Sequence, residues 1–169
     1  MNSPKIEIKI AGKEDFIELK LCAMEFLDYI KDFKKNFFNK KFFILAAYYD
    51  SILAGILVAE DESKKIDSIE KIVPIMCLRL LFVNPKFRHK NIGKSLLDNF
   101  IIILKKKGIA SIYVKLPQKY KKGVEFFQKN NFHQVDKNDN HIILELNIWN
   151  DLGIRDCLII GDNFDNMLS

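Results

Sequence analysis

Apolar and polar positions change period several times along this chain, and each change predicts an element. Residues 5–10, KIEIKI, alternate strictly and predict a strand. After Lys13-Glu14-Asp15 the period lengthens: Phe16, Leu19, Cys22, Ala23, Phe26, Leu27 and Ile30 fall on one face of a helix. A second, shorter helix is expected within 29–38, where Phe33, Phe37 and Phe38 either pack on a sheet or line a substrate cleft. Residues 42–49 and 52–60 are strand-like runs joined by Asp50-Ser51, a two-residue connection that signals a hairpin. Gly55 inside the second run marks a bulge or a close backbone approach. Residues 61–71, DESKKIDSIEK, read as a charged loop.

The run from 75 to 104 organises the rest. Residues 75–83 are apolar except for Arg79 and lie between Pro74 and Asn84-Pro85, as expected of a strand buried on both faces. Pro85 ends it, because proline cannot donate to a sheet ladder. Leu96, Leu97, Phe100, Ile101 and Leu104 then recur at helical spacing, with Gly108 as a C-terminal stop. Further on, 110–116 reads as a strand ended by Pro117, 123–130 as a short helix, and 132–135 and 141–148 as two last strands joined by a polar turn. No internal repeat or low-complexity linker divides the chain.

Between strand and helix lies Lys86-Phe87-Arg88-His89-Lys90-Asn91-Ile92-Gly93-Lys94, which holds four fixed positive charges and no acid. A helix N-terminus leaves backbone N–H groups unpaired and carries partial positive charge, so a loop entering it can bind phosphate oxygens. At Gly93 a side chain would stand between ligand and backbone. The reading is a phosphate or pyrophosphate site; the plainer one is a solvated basic turn.

Composition narrows the class. The 169 residues suit one domain, and 49% hydrophobic with 29% charged residues fits a soluble globular protein. No apolar run reaches membrane-spanning length, and MNSPKIEIKI has no signal-peptide apolar region, so a cytoplasmic protein without a membrane partner is expected. Cys22, Cys77 and Cys157 are scattered and read as reduced, small core residues rather than a zinc or disulfide framework. The net charge is +5, with lysines spread over several short runs. Such runs are usually solvated faces, and no motif for specific nucleic-acid recognition accompanies them.

Gly93-Lys94-Ser95 matches the end of a P-loop, but that pattern needs glycine where Arg88 stands, and 110–116 supplies no acid for magnesium. The better match is to the GCN5-related N-acetyltransferase (GNAT) superfamily. Its pyrophosphate loop, [R/Q]-x-x-G-x-[G/A] after V-x-P, resembles Arg88-His89-Lys90-Asn91-Ile92-Gly93 after Val83-Asn84-Pro85. Asn91 stands for the middle glycine, and asparagine is the residue that best tolerates a left-handed backbone after glycine. A second segment, residues 123–132, resembles A-x-x-[FL]-Y-x-[KR]-x-G-F: Phe126, Lys129 and Phe132 match, Gly123 and Asn131 stand for the small residue and the glycine, and Phe127 falls at the tyrosine. The resemblance spans roughly 5–148; residues 149–169 lie outside it as an extension of unknown role.

The resemblance implies an α/β fold: a mixed, mostly antiparallel sheet of about seven strands, helices on both faces, and a splay between the fourth and fifth strands. It implies acetyl-coenzyme A as cosubstrate and a primary amine as acceptor: a small amine, a peptide N-terminus or a lysine. Backbone N–H groups of Leu81 and Val83 would bind the thioester carbonyl and the oxyanion. Leu81, Phe82, Val83, Arg88, His89, Lys90, Asn91, Ile92, Gly93, Lys94, Ser95 and Phe127 are the expected coenzyme contacts. The tyrosine that the resemblance places at Phe127 would protonate the departing thiolate, which Phe127 cannot do; Tyr120, close in sequence on the preceding loop, is the candidate acid. Glu60, Glu70, His89, His133 and His141 are candidate bases whose plainer reading is surface charge or strand position. No metal is expected; the protein would be a monomer or homodimer. The alternative is a catalytically weakened coenzyme-binding module acting through a protein or nucleic-acid partner.

Overall fold

The computed structural model describes residues 3–66 and 71–151. Contacts divide the chain into two compact units, Met1–Glu62 with Met76–Ile103 and Ser63–Ile75 with Leu104–Ser169. The fold is mixed α/β and mostly antiparallel, with four strands of the main sheet in the first unit and three in the second. The expected seven strands are thus present.

The first unit opens with β1 (Ile6–Ile10), α1 (Phe16–Leu27) and α2 (Phe33–Phe38). The hairpin β2 (Phe42–Tyr49) and β3 (Ile52–Asp61) follows, turning at Asp50 and Ser51, both left-handed with φ of 45° and 71°. The alternation of Phe42–Tyr49 separates two packed faces. Ile44 and Ala46 join Leu19, Ala23 and Leu27 of α1 and Phe33 and Phe37 of α2 in one buried cluster. Phe43 stacks instead on Phe100 of α3 (Ile92–Lys106), ring centroids 5.8 Å apart. Helices therefore cover both faces of this unit's strands. Helix α2 starts later than its pattern suggests, because Asp32 adopts φ 53° and breaks the helical run before Phe33. Strand β6 (Ile75–Val83) lies antiparallel to β3, giving the order β1-β2-β3-β6.

The charged segment after β3 is not simply a loop: β4 (Lys64–Ile66) and β5 (Lys71–Val73) form a short antiparallel hairpin. In the second unit β7 (Ser111–Pro117), α4 (Lys121–Lys129), β8 (His133–Lys137) and β9 (His141–Asn147) follow, with order β7-β9-β8. Ile148 does not continue β9 but opens α5 (Ile148–Asp151), its N–H donating to the Ala110 carbonyl at 2.8 Å. Among the described residues no helix is long and apolar enough to cross a membrane. Glu70 and nearly all of 149–169 lie outside the described residues.

Candidate functional site

Gly55 explains where the basic loop sits. A Cβ there would come within 2.9 Å of the Phe82 carbonyl, 3.2 Å of Ile92 and 3.3 Å of Leu96. Both expectations for this glycine hold: it is a close approach, and a β-bulge lies beside it, since Ala47 pairs with Gly55 while Tyr48 pairs with Leu53. Buried Ile92, Leu96, Leu97 and Phe100 anchor the first turns of α3. The Asn84 N–H donates to the Ala54 carbonyl at 2.7 Å, tying the end of β6 to β3 as well. The loop between these ties is therefore held at both ends.

Within it, Pro85–Phe87 makes a 3-10 turn, capped by the Asn84 side chain accepting from the Lys86 N–H at 3.0 Å. His89 and Asn91 then take left-handed conformations, φ 63° and 61°. Asn91 is the position where glycine is expected from the resemblance, so the asparagine keeps the backbone that the glycine would have. The left-handed His89 has no such signal. Left-handed residues alternating with ordinary ones turn successive N–H groups toward one side, the geometry of an anion nest. Ser95 donates to the Asn91 carbonyl at 2.9 Å, opening the helix, so the amides of Ile92, Gly93 and Lys94 precede its internal ladder. Gly93 has no positive φ; what it contributes is the missing side chain.

The cations of the loop are not equivalent. The Arg88 Nε–H points back to the Val83 carbonyl at 3.4 Å. Lys90 Nζ lies 5.0 Å from the Tyr49 ring centroid, and that ring packs on Phe87 at 5.7 Å. Lys94 pairs with Asp98 one turn along, at 3.0 Å. The segment 86–94 carries no acid of its own, but helical spacing brings one to Lys94.

Strand β6 carries a second irregularity. Leu80 pairs with Val58 and Leu78 with Ala59, so Arg79 is left out of the ladder as a bulge. Bulges of this kind re-aim a side chain beside functional sites. Arg79 donates to Glu60 Oε2 at 2.9 Å and also pairs with Glu62. Beyond the bulge, half-buried Leu81, Phe82 and Val83 pair with Leu57, Ile56 and Gly55. Cys77, two residues before Arg79, is buried; burial pushes its thiol up to about 11, with Arg79 opposing and the two glutamates adding to the shift. It is a protonated core residue at neutral pH.

Beside the bulge a cleft of about 730 Å³ opens, walled by Phe26 and Tyr29, by Lys35 of α2, by Phe42 and Glu60 near the ends of β2 and β3, and by Arg79 in the middle of β6. Sequence reasoning did not find this cleft or the Arg79–Glu60–Glu62 cluster. The one available signal was a lone arginine in an apolar strand, which requires carboxylates somewhere.

In the second unit, Tyr120 caps α4 from outside, 57% exposed, its ring filling the space that a Cβ on Gly123 would need. Phe127 is buried against Phe126 and Phe132, ring centroids 5.3 and 5.1 Å away. Asn131, φ 70°, reverses the chain after α4, and Phe132 donates back to the Phe127 carbonyl at 3.0 Å. His89 and His133 are exposed and His141 half-buried.

Residues 43–134, more than half of the chain, match the acetyltransferase (GNAT) domain family. The chain belongs to the GNAT family. A curated relative, the spermidine N(1)-acetyltransferase of Thermoplasma acidophilum, is 29% identical over 107 residues, 63% of this chain and 60% of the relative's length. The chain thus matches less than two thirds of that relative. Among solved structures, the PaiA N-acetyltransferase of Thermoplasma acidophilum in complex with coenzyme A superposes with a TM-score of 0.62 at 24% identity, covering 85% of this chain and 99% of that one. Arabidopsis thaliana NAA60 in complex with acetyl-CoA gives 0.71 at 15% identity, with 85% and 99% covered. These likenesses establish the GNAT fold that the two sequence segments had suggested.

Proposed function

We propose that this protein transfers the acetyl group of acetyl-coenzyme A directly to the nitrogen of a primary amine. The observation that carries the reading is the loop from Arg88 into α3, where His89 and Asn91 hold left-handed backbone ahead of unpaired helix-start amides. That geometry suits pyrophosphate, and its sequence resembles the one GNAT proteins use for it, with Asn91 in place of the middle glycine. Arg88 and Lys90 add charge to the same anion, Lys94 less so because Asp98 shares it. Phe82 and Ser95 complete the coenzyme contacts expected on either side of the loop.

In the reaction the amine nitrogen attacks the thioester carbon. The backbone N–H groups of Leu81 and Val83 bind the carbonyl oxygen as it gains charge. The C–N bond forms, the C–S bond breaks, and the nitrogen gives up one proton while the departing sulfur takes one. Tyr120 is the proposed donor to sulfur; Phe127 has no proton to give. A second reading, a coenzyme-binding module without turnover, is favoured by that phenylalanine alone.

Incubation with acetyl-coenzyme A and a panel of amines, reading free thiol, tests the two readings. Turnover with any amine establishes the transferase. Coenzyme binding by calorimetry, with no turnover across the panel, establishes the module.

A further inference from the structure

The cleft beside the Arg79 bulge has a sign. Four cationic side chains line it, Lys31, Lys35, Lys41 and Arg79, against the carboxylates of Asp32 and Glu60. Glu60 is already engaged by Arg79 at 2.9 Å. Lys31, Lys35 and Lys41 have no ion-pair partner among the described residues. Arg79 is shared between Glu60 and Glu62, so that cluster adds one surplus negative charge; the three unpaired lysines still outnumber it and Asp32 together, and a carboxylate gains here where an ammonium loses. Its volume, about 730 Å³, suits a small molecule or the first residues of a peptide.

The cleft also adjoins the proposed acetyl site along β6. Arg79 and Leu80 form part of its wall, and the next residue of the same strand is Leu81. Phe26, whose ring packs 4.9 Å from that of Phe82, and Phe42 give the cleft an apolar flank for the carbon skeleton of an occupant.

Resting on the transferase reading above, we infer that the acceptor amine is carried on an anion: a free acidic amino acid, or the acidic N-terminus of a peptide. Its amino group lies toward Leu80 and Leu81, and its carboxylates are held by Lys31, Lys35 and Lys41. A polyamine is the wrong charge for this cleft, which separates this chain from the polyamine activity named for its curated relative.

The test uses the whole chain with acetyl-coenzyme A and five acceptors: glutamate, a peptide beginning with acidic residues, a matched peptide beginning with lysines, spermidine and an uncharged-tail monoamine. The acidic acceptors should exceed spermidine in kcat/KM by at least about tenfold at low salt, an advantage that shrinks as salt screens it. Glutamate against the acidic peptide tells which source is used. Lys35→Glu and Lys41→Glu should each raise KM for the preferred acidic acceptor by about tenfold while coenzyme affinity stays unchanged. Preference for spermidine or the lysine peptide overturns the inference and leaves the transferase standing, as does an unchanged acceptor ranking in both variants. Calorimetry of the acidic peptide against coenzyme-loaded protein supplies a readout without turnover. Binding that Lys35→Glu abolishes, with no acetyl transfer, supports the cleft and overturns the transferase. Neither binding nor transfer overturns both.

Discussion

The loop entering α3 and the helix α4 have each replaced a residue that their family pattern favours, with opposite consequences. In the loop, Asn91 stands where glycine is expected, yet it holds φ 61° and the turn is intact. In α4, Phe127 stands where a tyrosine is expected; the helix is intact, but the hydroxyl is gone. A site made of backbone amides needs only a conformation, and several residue types can supply it. A site made of one side-chain atom needs that atom. On the proposed reading, a changed residue should therefore be tolerated in the first region and felt in the second.

Blocking the backbone should have the largest effect. Gly93→Trp puts an indole in the first turn of α3, on the amides proposed to meet pyrophosphate. Coenzyme affinity should fall at least about a hundredfold, on the order of 3 kcal/mol. Calorimetry beside a circular-dichroism check of folding reads this directly; unchanged affinity in a folded variant would show that the loop's backbone is not the binding surface.

Charge should matter less than backbone, and unequally. Arg88→Ala is expected to weaken coenzyme A binding by about tenfold and Lys94→Ala by only about two- to threefold, because Asp98 already answers Lys94. Both losses should shrink as salt rises toward 0.1 M and beyond, where screening lengths fall to about 10 Å. A pantetheine fragment without phosphates is the control. Equal losses for coenzyme and fragment would mean that these cations do not face the pyrophosphate.

The same contrast governs what could be read from sequence. The strand–loop–helix element was legible because its signals are local: Pro85 stops the strand, the basic run follows without an acid, and Leu96, Leu97 and Phe100 repeat at helical spacing. Gly55 announced a close approach without naming its partners, Ile92 and Leu96, which lie far along the chain. The hairpin β4–β5 was illegible, since three-residue strands carry too little periodicity to rise above a charged loop. The left-handed turns at Asp32 and His89 fall on residue types that tolerate this backbone but adopt it too seldom for the sequence to announce it. Least legible was the cleft, whose wall draws on the α1–α2 region, β2, β3 and β6; only the fold brings Lys35, Lys41 and Arg79 together.

Restoring the missing atom should give a moderate gain. A general acid typically contributes about 10²–10⁴-fold, but a thiol with a pKa near 8.5 leaves readily as thiolate, so the shortfall here belongs at or below the lower end. Phe127→Tyr should raise kcat several-fold and leave coenzyme affinity nearly unchanged. The new hydroxyl enters a site packed by Phe126 and Phe132, so a stability cost of about 1–3 kcal/mol is expected if it finds no partner. Tyr120→Phe in the wild type separates the alternatives. A flat response to Phe127→Tyr together with lost turnover in Tyr120→Phe would assign the proton to Tyr120.

The smallest effects should come from giving the asparagines back their glycines. A left-handed backbone costs an ordinary L residue about 1–2 kcal/mol, and asparagine pays the least of the residues with a side chain. Glycine removes that strain but widens the unfolded ensemble by about 0.4–1 kcal/mol. The terms nearly cancel, so Asn91→Gly and Asn131→Gly should each change unfolding free energy by no more than about 0.5 kcal/mol in urea titrations. Asn91→Val supplies the opposite limit, because a β-branched residue at φ 61° bears the full strain and should lose about 1–2 kcal/mol. Coenzyme affinity decides the point at issue. If Asn91 preserves the loop completely, Asn91→Gly binds coenzyme within about twofold of wild type, an energy difference below about 0.5 kcal/mol. A tenfold gain would mean that the asparagine side chain itself holds the pyrophosphate away from the amides, and that conformation alone is not enough even where the site is made of backbone.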